Sequence, residues 1–144
     1  MKSAFEHCVL SITAAAMLCL VLLASQHAYS QAAGQKTFDS SKEALNAFLL
    51  ATRENNSADL QAILGPNSEQ IISSGDDVAD NKARDRFISR YDAGHSLVET
   101  APHRFALNVG KDDWPLPIPL VEANNKWYWD GAAGREPAGS AGTY

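Results

Sequence analysis

The residue types that most often carry catalysis are sparse in this chain of 144 residues. His95 and His103 are the histidines that follow residue 30, and neither belongs to an HExxH pair. No GxSxG phrase marks a serine as a nucleophile. The sequence therefore leaves any catalytic residue unassigned, and a secreted hydrolase that uses His95 or His103 with a nearby carboxylate stays as an alternative.

An acidic group at Asp76, Asp77 and Asp80 has the oxygen ligands that calcium prefers. Its spacing does not match the EF-hand loop. Asp76 or Asp77 would instead cap a helix, with Asp80 in the first turn, where a negative charge is favourable. We favour capping, and we predict no metal and no cofactor.

Aromatic side chains concentrate in the second half of the chain. Trp127 and Trp129 alternate along the sequence and would share one face of a strand. They either pack in the core or form a stacking platform for a sugar or another flat ligand. On the second interpretation, the candidate ligand-binding residues are Trp114, Trp127, Tyr128, Trp129 and His95.

Basic side chains recur every four residues at Lys82, Arg86 and Arg90. On a helix they would form one stripe, which could hold an anion or the acidic face of a partner. A solvated helix face, partly paired with neighbouring aspartates, is the simpler interpretation.

Three helices are predicted ahead of the aromatic region. Ser40 and Glu43 form a capping box in front of apolar residues at helical spacing, which predicts a helix over 41–53. A shorter helix capped by Ser57 ends at Gly65-Pro66, and a turn of helix through 71–72 follows it. The third helix is predicted over 78–92.

Apolar residues then recur at every second position, the spacing of a β-strand. This predicts strands over 105–109, 114–121 and 126–130, after a shorter strand at 97–98. Asn124-Asn125 suits a tight hairpin because asparagine tolerates positive φ.

Prolines 115, 117 and 119 fall at every second position, so the missing N–H groups lie along one edge of the second strand. This predicts an edge strand, paired through Leu116, Ile118 and Leu120. A polyproline ligand for a partner domain is the alternative.

Helices followed by an antiparallel meander predict an α+β domain with the helices packed on one face of a small sheet. A cone-shaped arrangement like that of the nuclear transport factor 2 superfamily is expected from the element order alone.

The amino-terminal segment has the features of a cleavable signal peptide. Residues 12–24 are apolar and uncharged, and Ala28-Tyr29-Ser30 places small residues three and one before Gln31. Both cysteines, Cys8 and Cys19, lie in this segment, so the predicted mature chain has no disulfide. We expect a periplasmic or secreted protein with no stable transmembrane span after cleavage. The predicted organisation is a signal peptide at 1–30, a disordered lead at 31–37, the α+β domain at 38–130 and a disordered tail at 131–144.

The net charge of the chain indicates which classes of partner it can bind. The net charge is −5 and no basic block is present, which argues against nucleic acid, because that binding depends on neutralising phosphates.

Seven short phrases occur in order along the chain, at 64–66, 74–80, 86–87, 91–95, 109–115, 117–121 and 132–134. Together they resemble the N-terminal half of the bacterial domain of unknown function 2950 family, from about Phe38 to Glu136. The resemblance implies an exported envelope protein and brings no catalytic residues. Family members continue after the last phrase, so the Gly- and Ala-rich end is expected to be a truncation.

Our leading hypothesis is a non-enzymatic binding or accessory module of the envelope, with an unknown partner or a small ligand. The alternatives are the secreted hydrolase and a non-functional remnant of a longer family member.

Overall fold

The computed structural model describes residues 32–66 and 68–135. The predicted signal peptide with its two cysteines, and the predicted tail from residue 136 onward, lie outside these residues.

Helix α1 spans Ser41–Arg53, the bounds that the capping box predicts. The Ser40 hydroxyl accepts the Glu43 N–H at 3.1 Å, and the Glu43 carboxylate accepts the N–H of Asp39 at 3.1 Å. These contacts satisfy two of the free N–H groups at the helix start.

Three further helices follow: α2 (Ser57–Leu64), α3 (Glu69–Ile72) and α4 (Asp77–Ala93). The cap of α2 is Asn56 and not Ser57, because the Asn56 side chain accepts the Asp59 N–H at 3.1 Å. The helix ends at Gly65, whose φ of 89° lies in the left-handed region that glycine favours.

The sheet has five antiparallel strands: β1 (His95–Ala101), β2 (Arg104–Val109), β3 (Trp114–Pro115), β4 (Leu120–Ala123) and β5 (Lys126–Trp129). Their order is β1-β2-β4-β5, with β3 also paired to β2. The β4–β5 hairpin turns at Asn124 and Asn125, with φ values of 53° and 59°, which confirms the predicted turn.

The proline segment does not form the single strand that we predicted over 114–121. Leu116 donates its N–H to the Leu107 carbonyl at 2.7 Å, so pairing holds there as expected. The chain then leaves the ladder and rejoins it at Leu120, opposite Phe105. Because β4 lies between β2 and β5, the edge-strand prediction is wrong for residues 120–121, whereas β3, among the described strands, pairs with β2 alone. Prolines 117 and 119 have no N–H for a ladder, so the segment bows out between two short strands.

The core lies between one face of the sheet and the helices α1, α2 and α4, which makes this an α+β domain with its helices first. The nuclear transport factor 2-like arrangement stays a prediction. None of the described helices has the length and apolar character that crossing a bilayer requires. Fully buried members of the core include Ala44, Leu107, Val109, Leu120 and Trp129.

Both flanks of the predicted domain carry buried residues. Gln35, within the predicted lead, is buried and donates its amide to the carbonyls of Ile63 and Trp129. Phe38 exchanges two backbone hydrogen bonds of 2.8 Å with Trp127 at the outer edge of β5. Gly131, within the predicted tail, is buried against Leu64 of α2.

Candidate functional site

Trp129 lies at the centre of the core. Its side chain is fully buried, and its indole N–H donates to the Ala44 carbonyl at 3.0 Å. Its ring also contacts that of Phe48, with 4.8 Å between centroids. A ligand outside the protein has no access to this ring.

Trp127 and Tyr128 lie on opposite faces of β5. Trp127 is half-buried and packs against Phe105, with ring centroids 5.1 Å apart. Tyr128 is buried and pairs across the strands with Val121. The structure therefore does not bring these side chains together as one stacking surface.

His95 begins β1 and stacks on Tyr91, the last aromatic residue of α4. The two rings are 3.8 Å apart and nearly parallel at 10°, and His95 Nδ1 lies 3.1 Å from the Tyr91 carbonyl oxygen. Partial burial, followed by the nearby Asp92 charge, raises the pKa of the Tyr91 phenol. The contact fixes the junction between α4 and the sheet.

His103 lies in the turn at the far end of β1. Its Nδ1 is 3.2 Å from a carboxylate oxygen of Glu122, and its backbone N–H donates to Glu99. A seven-residue strand separates it from His95, a distance of roughly 20 Å. The two histidines therefore cannot act at one site.

A cleft with apolar walls lies between α4, the other helices and the β3–β4 connection. It is a cleft of about 540 Å³, within the range of about 300–1,000 Å³ that is usual for small-molecule sites. Side chains from the four helices and from residues 114–118 form its apolar walls, among them Phe48, Leu60, Leu64, Ile72, Leu116 and Ile118.

The cleft exists because α4 stands away from the core along much of its length. None of its residues is fully buried, and Val78 near its start is 64% exposed. Phe87 anchors it by an edge-on contact with Phe48, with 5.8 Å between centroids. Arg84 anchors it further, because its guanidinium donates to the Ile72 carbonyl at 2.8 Å and to Ser57 at 3.2 Å.

The start of α4 is fixed by two aspartates. The Asp76 side chain accepts the N–H groups of Val78 and Ala79, both at 3.0 Å, which confirms the predicted cap. Asp80 accepts hydrogen bonds from the hydroxyl groups of Ser74 and Ser73. These bonds hold the pKa of its carboxyl below the usual 3.8, and the bond from Ser74 has the larger effect. Asp80 therefore keeps its negative charge at this end of the cleft.

Arginines supply the other charges on the cleft lining. Arg90 forms a salt bridge of 3.2 Å with Asp112 in the loop before β3. Arg86 lines the cleft, is exposed, and has no hydrogen-bond or ion-pair partner in the described part of the chain. With Arg84, the described lining carries three positive charges against the single negative charge of Asp80.

The β3–β4 connection forms the wall opposite α4. Leu116, Pro117 and Ile118 face the cleft from the segment that bows out of the sheet. Trp114 lies beside them at the mouth, with 43% of its surface exposed. The local proline pattern therefore builds one side of the cleft.

Of the predicted ligand-binding residues, only Trp114 lines this cleft. Two members of the predicted basic stripe, Arg86 and Arg90, also line it, whereas Lys82 does not. The apolar walls were missed because they come from segments far apart in the chain. Within the described ranges, no group of three or more His, Cys, Asp or Glu could hold a metal ion.

Together these features define an α+β domain with a single-sided helical layer and an apolar cleft rimmed by arginine. The sequence profile of one protein family, described as a protein of unknown function (DUF2950), matches residues 35–138. The chain belongs to the DUF2950 family. No curated protein and no solved structure matches it.

Proposed function

We propose that this protein is a non-enzymatic binding module of the bacterial envelope whose small ligand occupies the cleft beside α4. The observation that carries the proposal is the cleft itself. It has the volume of a small-molecule site, and most of its lining is apolar. A bound apolar ligand would gain dispersion contacts with this lining.

The predicted signal peptide supports the envelope part of the proposal. The uncharged apolar run at 12–24 and the small residues before Gln31 fit a signal peptide. Amino-terminal sequencing of the protein recovered from a bacterial periplasm or medium should begin at Gln31. A product that begins at Met1 and stays with the cells would contradict export.

The cleft can be tested with Nile red, a neutral apolar dye whose emission rises on leaving water. Ala83 lines the cleft, so Ala83→Phe should fill it and weaken dye binding at least about tenfold. Ala79 lies one turn earlier on α4, is exposed and does not line the cleft, so Ala79→Phe is the matched control. Equal dye binding by the two variants would contradict a ligand in the cleft.

The rival function, a secreted hydrolase, has one contact in its favour, the His103–Glu122 pair. A carboxylate that orients an imidazole is part of many hydrolytic sites. Hydrolysis of p-nitrophenyl acetate by the wild type and by His103→Ala, with His95→Ala as the control, tests it. A rate that falls only in His103→Ala would support the hydrolase, and equal rates in all three would remove it.

A further inference from the structure

The charges on the cleft lining are unevenly placed along α4. Asp80 lies at one end, and its carboxylate is occupied by Ser73 and Ser74. At a rise of 1.5 Å per residue, Arg86 lies about 9 Å and Arg90 about 15 Å further along the helix axis. One end of the apolar cleft is therefore acidic and the other is basic.

Arg86 is the basic group that is free to take a ligand. Arg84 already donates hydrogen bonds to neutral oxygens of Ile72 and Ser57, and Arg90 forms a salt bridge with Asp112. Arg86 has no partner in residues 32–66 and 68–135, although it lines the cleft. A guanidinium presents two parallel N–H groups that fit a carboxylate, which makes an anionic oxygen group the complement of this position.

The rest of the cleft complements a hydrocarbon. Phe87 follows Arg86 on α4, and Ile72 precedes Ser73, the partner of Asp80, so apolar side chains line the cleft near both charged groups. Trp114 at the mouth has the amphipathic ring that often lies where an apolar site meets water.

We infer that the ligand of this cleft is a free single-chain amphiphile, an unbranched hydrocarbon chain that ends in a carboxylate, with the carboxylate at Arg86 and the chain along the apolar walls. The inference rests on the proposed function, since it names the ligand class of the same cleft. A bilayer surface is a poor occupant, because the chain carries 17 acidic against 12 basic residues, and its net negative charge is repelled by anionic lipid.

Three probes with the same chain and different head groups test the inference: decanoate, decanol and decyltrimethylammonium, each below the concentration at which it aggregates. Each displaces Nile red from the purified protein in a titration. We expect decanoate to bind about five- to tenfold more tightly than decanol, and decyltrimethylammonium to bind most weakly.

Arg86→Gln removes the proposed head-group contact and should weaken decanoate about five- to tenfold while leaving decanol unchanged. Lys82→Gln is the matched control, because Lys82 is an exposed cation on the same helix that does not line the cleft. This control should bind all three probes as the wild type does, and thermal melts should show that both variants fold.

The outcomes separate this inference from the function on which it rests. Equal binding of the three probes would overturn the inference that the ligand carries a carboxylate, and so would an equal effect of Arg86→Gln and Lys82→Gln on decanoate. Either result would leave the cleft as a binding site. Tighter binding to vesicles of anionic phospholipid than to decanoate would also overturn it. If neither Nile red nor any of the three probes binds, the proposed function fails as well.

Discussion

The β4–β5 hairpin and the cleft beside α4 are both rich in aromatic and apolar side chains, but they differ in what those side chains contact. On the hairpin, Trp129 is fully buried and its indole N–H has a partner in α1. At the cleft, Trp114 is 43% exposed and Arg86 has no partner in the described residues. The protein itself covers the core side chains of the hairpin, whereas Trp114 and Arg86 at the cleft stay exposed to solvent.

This difference shows that residue type alone does not locate a binding site. Three tryptophans follow one another within 16 positions of the chain, and the sequence pattern treats them alike. Their surroundings differ in the fold, because helices from the first half of the domain cover β5 and leave β3 exposed. A functional assignment therefore depends on which apolar surface is left uncovered.

The largest expected effect comes from truncating the two contrasting tryptophans. Trp129→Ala should lower the free energy of unfolding by about 3–5 kcal/mol, because it opens a cavity in the core and leaves the Ala44 carbonyl without its donor. Trp114→Ala should cost less than about 1 kcal/mol, since its ring is largely at the surface. Urea denaturation measures both, and equal losses would contradict the division between core and cleft.

A second comparison concerns two glycines that differ in how closely other atoms approach them. A methyl group added to Gly131 would lie 2.3 Å from the Leu64 carbonyl oxygen, so Gly131→Ala should destabilise the protein by about 1–3 kcal/mol. The matched control is Gly94→Ala, where the nearest atom is 3.7 Å away, an ordinary contact. If thermal melts show the same stability for both variants, α2 does not pack against the end of β5 as tightly as the structure indicates.

The smallest expected effect concerns the acidic end of the cleft. Hydrogen bonds from Ser74 and Ser73 lower the pKa of Asp80 in the folded protein, so its contribution to stability is present above the unfolded pKa near 3.8. That contribution is lost as the pH falls through the lower, folded pKa. Asp80→Asn should therefore lose less stability than the wild type on acidification below about pH 4.

Asp77→Asn is the control for this pH effect, because Asp77 lies in the same helical turn and lines no part of the cleft. Thermal melts across the acid range should show a shallower fall in stability for Asp80→Asn than for Asp77→Asn. Parallel curves for the two variants would show that the serine contacts do not favour the ionised carboxylate.

Much of the fold could be predicted from the sequence, because the signals are local. Ser40, Gly65 and Asp76 mark helix ends through their own side-chain or backbone preferences. The hairpin follows from two adjacent asparagines. Each of these features depends on residues within about four positions of one another, so no tertiary information is needed.

The cleft and the divided proline strand could not be predicted in this way. The strand divides at the prolines, where the pairing register with β2 shifts between Pro115 and Leu120, and a pattern within 114–121 does not reveal that register. The buried amide of Gln35 depends on carbonyls of Ile63 and Trp129, 28 and 94 positions away. The basic stripe allowed an anion-binding site as one interpretation, beside a solvated helix face. The apolar walls next to Arg86 come from distant segments, so the sequence pattern does not reveal them.

The most direct test of the central claim is fluorine NMR of the protein labelled with fluorotryptophan, titrated with decanoate. The three tryptophans give three resonances, and Trp114→Phe identifies one of them. The account predicts that the Trp114 resonance shifts on binding while those of Trp127 and Trp129 stay in place. A titration that moves the Trp127 resonance and leaves that of Trp114 unchanged would contradict it and return the site to the hairpin.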